Sequence, residues 1–124
     1  MSKPRPREVI EDGSITDASD FVAEGARWIN HNVVTQVGTV YRIYGDLYSG
    51  ASSIGDAMSH LSHCLKDIKD RGNLYDTRTE DPGAAIELAR AHMVDAQHHA
   101  YALNKALQAA QNAIAGVGHK DPTA

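Results

Sequence analysis

The chain has 124 residues, which is enough for one domain with a single hydrophobic core. Apolar residues make up 42% of it, and no apolar run approaches the about 20 residues of a membrane-spanning helix, so we expect no membrane partner. The net charge of −4 argues against nucleic-acid binding, because the chain provides no general basic field. The single cysteine excludes an internal disulfide, and with no recognisable apolar leader it favours a cytoplasmic location.

Residues 1–15 have the composition of a flexible charged arm. The segment Lys3-Pro4-Arg5-Pro6-Arg7 alternates basic residues with prolines, which prevent helix formation. Acidic residues and Gly13 follow directly. We therefore expect an N-terminal arm at 1–15, a helical domain at 16–118 and a loose C-terminal tail at 119–124.

A seven-residue apolar period begins after the arm. It runs through Ala26, Val33, Val40, Leu47, Ile54, Leu61 and Ile68, and a mostly apolar companion series begins at Val22 and Ile29. Two such series form a continuous stripe on an α-helix. Because the phase never shifts, the pattern favours one long helix, straight or kinked, from about Asp17 to about Arg71. The run Ser49-Gly50-Ala51-Ser52-Ser53 has low helix propensity, so a break there into two helices is the alternative.

A second helix is predicted from Asp81 to Gly118. Asp81 is suited to the N-cap position and Pro82 to the first helical position, while Gly116 and Gly118 provide the stop. Its two apolar series are Ile86, Met93, Ala100, Leu107, Ile114 and Ala89, Ala96, Leu103, Ala110, Val117. The stripe is again of the heptad type.

Two striped helices joined by a short polar turn predict an all-α antiparallel hairpin. The second helix is too short to cover the whole first helix, so we expect a larger bundle. The partner is another copy of the chain, a dimer being favoured, or a different helical protein. Apolar, aromatic and glycine positions beside the main stripe are the predicted interface, with Gly45 on an outer face: Trp28, Val34, Tyr41, Gly45, Tyr48, Val94 and Tyr101.

A metal site is the main alternative. His60 and Cys64 are one helical turn apart, and antiparallel pairing places His92 of the second helix opposite His60. Imidazole and thiolate ligands suit zinc or a similar metal. Half-covered histidines beside a helix contact, with Cys64 as a small buried apolar residue, explain the same pattern without any cofactor.

We find no catalytic motif in the sequence, so the predicted function is non-enzymatic: a helical interaction, structural or accessory module. A small alanine-rich hairpin with a charged tail, over residues 17–115, resembles the architecture of the WXG100 secretion-partner proteins. Trp28-Ile29-Asn30 departs from that family's Trp-x-Gly motif and lies in a helix rather than a turn, so no residue role is transferred. A phage- or plasmid-type accessory protein is a further alternative.

Overall fold

A computed structural model describes residues 12–120, with side chains from Ile15 onwards. Most of the predicted arm and the last four tail residues lie outside this range. Three helices make up the described part: α1 (Asp12–His31), α2 (Val37–Arg71) and α3 (Pro82–Ala113), with no strand among these residues. The all-α prediction is confirmed. None of the described helices has the length and apolarity needed to cross a lipid bilayer.

The chain divides into two compact units, Met1–Thr35 and Gln36–Ala124, and the boundary lies where one continuous helix was predicted. That prediction is wrong, because residues 32–36 are not helical. The Asn32 side-chain amide donates to the carbonyl of Trp28 at 2.7 Å, which competes with the next helical hydrogen bond. Val33, Val34 and Thr35 are β-branched and favour extended backbone. The alternative break at Ser49–Ser53 is also wrong, since α2 continues through it.

In the second unit α2 and α3 pack against each other and run in opposite directions. At one end Lys69 of α2 forms an ion pair with Glu87 of α3 at 2.6 Å. At the other end the Gln111 amide of α3 donates to the Tyr41 carbonyl of α2 at 3.0 Å. The ranges therefore form an antiparallel pair joined by residues 72–81.

The helix ends near this connection follow the local sequence signals. α2 ends at Arg71, and Gly72 adopts a positive φ of 74° that an L side chain disfavours. α3 begins at Pro82, and the Asp81 carboxylate accepts the backbone N–H of Ala84 at 3.0 Å. The other end differs from the prediction, because α3 stops at Ala113 rather than at Gly116 or Gly118.

The core between the two helices is small. Ala51 is 3% exposed and Ala100 is 8% exposed, and these are the buried hydrophobic residues among the described side chains. The solvent-accessible surface of the chain is 9907 Å². A folded monomer of 13.4 kDa exposes about 6,500 Å². A large apolar area therefore stays uncovered.

The residues that face α3 are not those of the predicted main stripe. Leu47, Ile54, Leu61 and Ile68 are 36%, 41%, 41% and 41% exposed and lie beside the helix contact. Buried and half-buried positions of α2 instead include Tyr48, Ala51, Gly55, Met58, Ser62 and Leu65. The small residues Ala51, Gly55 and Ala100 permit a close approach of the two backbones, which explains the rotation of the contact away from the larger side chains.

Candidate interaction surface

A row of polar side chains on α3 faces α2, at positions for which the sequence analysis predicted no role. The Arg90 Nε donates to the Ser62 hydroxyl at 3.1 Å, and the Asn104 amide donates to the Tyr48 carbonyl at 2.6 Å. Gln97 and Gln111 continue the same seven-residue spacing. We call Arg90, Gln97, Asn104 and Gln111 the polar row. Its heptad period was the available signal, but a search for apolar periodicity does not detect it.

Several predicted interface residues lie within the hairpin rather than on a free surface. A Cβ at Gly45 would lie 2.7 Å from Nε2 of Gln111, so Gly45 faces α3 and not the predicted outer face. The Tyr101 ring lies over Gly55, and its hydroxyl donates to Asp56 Oδ1 at 2.6 Å. That bond raises the pKa of Tyr101 above 10.0, because the carboxylate stabilises the protonated phenol. Tyr48 is half-buried in the same contact.

One side of the hairpin carries a polar groove. A depression of about 210 Å³ is lined there by Ser59 and His63 of α2 and by Val94 and Gln97 of α3, among others. Val94, a predicted interface residue, is 48% exposed. We call this the polar side of the hairpin.

The opposite side is apolar. Each exposed residue of the predicted stripe on α2 comes one position before a residue that faces α3, and the Ala89 series on α3 comes one position before the polar row. In antiparallel helices the same backward step of about 100° turns side chains of both helices to the same side. We call this set the apolar face: Leu47, Ile54, Leu61 and Ile68 of α2 with Ala89, Ala96, Leu103 and Ala110 of α3.

The connection between α2 and α3 extends this face. Ile68 also lines a depression of about 490 Å³ with Leu74, Tyr75, Pro82 and Ile86, among others. Tyr75 is 85% exposed. On the neighbouring surface Glu87 accepts from Lys69 at 2.6 Å and from Arg90 at 3.0 Å. These two cations lower the pKa of Glu87, Lys69 having the larger effect.

The first unit presents a separate apolar surface on α1. Phe21, Val22 and Trp28 are 59%, 58% and 70% exposed. Trp28 contributes to a depression of about 230 Å³ with Glu24, Arg27, His31 and Asn32. Val34, also a predicted interface residue, lies in the non-helical stretch after α1 and is 37% exposed.

The structure brings together part of the predicted metal site. The Cys64 Sγ lies 3.6 Å from Nε2 of His60, one turn away on α2. No three His, Cys, Asp or Glu side chains between 15 and 120 are grouped so that they could hold a metal ion, and His92 does not complete such a group. Metal binding by His60, Cys64 and His92 stays a prediction.

Comparisons with known proteins give no independent indication of function. No protein-family model, no curated protein and no solved structure matches this chain. The argument for function therefore rests on the surfaces described above.

Proposed function

We propose that this chain is a non-enzymatic helical interaction module that self-associates through its apolar face. The observation that supports this is the row of four large aliphatic residues, Leu47, Ile54, Leu61 and Ile68, each 36–41% exposed beside a core of two alanines. Burying aliphatic side chains of this kind contributes about 25 cal/mol per Å². A second apolar surface is the ordinary way to cover such a row.

The polar side supports the same proposal from the opposite direction. Its groove is lined by hydroxyl, imidazole, guanidinium and amide groups, which remain hydrated at little cost. A hairpin with one hydrated side and one apolar side resembles half of a four-helix bundle. Two copies that bring their apolar faces together complete such a bundle.

Sedimentation velocity of the full chain at micromolar concentration tests the proposal. The wild-type chain should sediment as a defined oligomer, a dimer being expected, and Leu61→Glu should shift it to monomer because a charge enters the buried interface. Val94→Glu is the matched control, since it places the same charge on an exposed aliphatic position of the polar side and should leave the oligomer intact. A wild-type chain that stays monomeric at high micromolar concentration contradicts self-association.

A further inference from the structure

We infer that the second copy binds the apolar face in the antiparallel sense, with α2 of one copy lying on α2 of the other. This inference rests on the proposed self-association and specifies its geometry. The partner is thus a second copy of this chain, related by a two-fold axis that crosses the helices at right angles.

The spacing of the row on α2 is self-complementary about such an axis. If the axis passes midway between Ile54 and Leu61, Ile54 of one copy lies opposite Leu61 of the other. Leu47 then lies opposite Ile68 by the same symmetry. All four aliphatic residues therefore meet an aliphatic residue, as an interface between identical surfaces requires.

The row on α3 has its own centre at a matching level. Its midpoint lies between Ala96 and Leu103, so the same operation pairs the small Ala96 with the large Leu103 and Ala89 with Ala110. One axis must cross both helices at the same height. The hydrogen bond between Asp56 and Tyr101 connects the two helices near both midpoints, which places them within about one helical turn of each other.

The size of the apolar face matches that of a stable interface. From Leu47 to Ile68 the row covers about 32 Å at 1.5 Å per residue, and two packed helices are about 20 Å wide. Two such footprints bury about 1,300 Å² in total, which lies within the range of specific interfaces, about 1,200–2,000 Å².

Charges at the ends of the row favour the antiparallel arrangement. Asp46 precedes the first residue of the row and Arg71 follows the last by three positions, and both are exposed. The two-fold axis brings Asp46 of one copy near Arg71 of the other, twice per dimer. In the alternative, with α2 lying on α3 of the partner, Asp46 and Arg71 face the ends of α3, where neither meets an opposite charge at its level.

Cysteine cross-linking tests the geometry, using full-length chains with Cys64→Ser so that the only thiols are the introduced ones. A mixture of the Ile54→Cys and Leu61→Cys chains should form a disulfide-linked dimer at least tenfold faster than either chain alone. Ser59→Cys on the polar side, mixed with either, is the control and should not cross-link. Preferential cross-linking of Ile54→Cys with Leu103→Cys would overturn the inference while leaving self-association standing. A monomer that forms no cross-link in any mixture contradicts both.

A charge exchange provides an independent readout without thiols. Asp46→Lys and Arg71→Asp should each weaken the dimer by about threefold to tenfold, since two exposed pairs are lost per dimer. The chain that carries both substitutions should recover the wild-type dissociation constant to within about twofold. Additive weakening in the double variant would show that the two positions do not meet, and would overturn the antiparallel arrangement.

Discussion

Gly55 of α2 lies directly under the aromatic ring of Tyr101 on α3. A Cβ at residue 55 would lie 2.5 Å from Cε1 and 2.9 Å from Cδ1 of that ring. No real side chain tolerates such distances, so the helix contact at this level depends on the absence of a side chain. The glycine is therefore retained in a helix interior, where it costs about 1 kcal/mol relative to alanine.

Gly55→Ala should destabilise the hairpin by about 1–2 kcal/mol, because the overpacking penalty exceeds the gain in helix propensity. Gly50→Ala is the matched control on the same helix, since nothing lies within 4 Å of its Cβ position, and it should stabilise by up to about 1 kcal/mol. Urea unfolding at one fixed chain concentration measures both. If Gly55→Ala stabilises as much as Gly50→Ala does, the ring does not occupy this position.

The phenol of Tyr101 should titrate at higher pH than an ordinary tyrosine, because its hydroxyl donates to Asp56 Oδ1 at 2.6 Å. A raised pKa means that this bond stabilises the folded chain below pH 10.0, and that the stabilisation is lost as pH rises through the folded-state value. Absorbance at the phenolate band, with Tyr101→Phe as reference, isolates this one of the five tyrosines. Asp56→Asn should return the pKa of Tyr101 towards its ordinary value; an unchanged titration in that variant contradicts the assignment.

The boundaries around residues 71–82 could be predicted from sequence because they depend on local chemistry. Gly72 takes a positive φ and Asp81 caps the next helix, and both effects need only neighbouring residues. The break after His31 also had local signals, namely Asn32 and three β-branched residues. An unshifted heptad phase concealed it, because phase alone does not show whether a helix is continuous.

The face of α2 that meets α3 could not be predicted from apolar periodicity. Several neighbouring series on α2 are apolar, and the largest side chains suggested the contact at Leu47, Ile54 and Leu61. The structure instead uses small residues, since close backbones allow Asn104 to reach the Tyr48 carbonyl. Selecting among apolar stripes requires the shape of the other helix, which a count of apolar residues in one helix lacks.

Asn104→Ala should cost about 1 kcal/mol, because the half-buried amide donates to the Tyr48 carbonyl at 2.6 Å. Lys105→Ala, one position later and exposed, should change the free energy of unfolding by no more than about 0.5 kcal/mol. Urea unfolding compares the two variants. Equal effects would show that the polar row contributes nothing beyond helix propensity.

Glu87 should contribute to acid sensitivity, because its pKa lies below 4.5 through bonds to Lys69 and Arg90. A lowered pKa means that the stabilisation is present above about 4.5 and is lost as pH falls through the folded-state value. Glu87→Gln should therefore reduce the loss of stability on acidification, measured as unfolding midpoints between pH 6 and 3. Asp95→Asn, at an exposed carboxylate of the same helix, is the control and should leave more of that loss in place.

The start of α2 depends on a residue far along the chain. The N-cap residue Gln36 makes no side-chain capping bond, and the backbone N–H of Val37 instead donates to Nε2 of His119 at 3.0 Å. His119, in the tail predicted to be loose, thus supplies the acceptor that a capping side chain would provide. His119→Ala should speed hydrogen exchange of the Val37 amide and destabilise the first turn by about 0.5 kcal/mol, the low end for a lost cap, because the bond is exposed. His98→Ala, an exposed histidine on α3, should leave that exchange rate unchanged. If both variants leave the Val37 rate at its wild-type value, His119 does not cap α2 in solution.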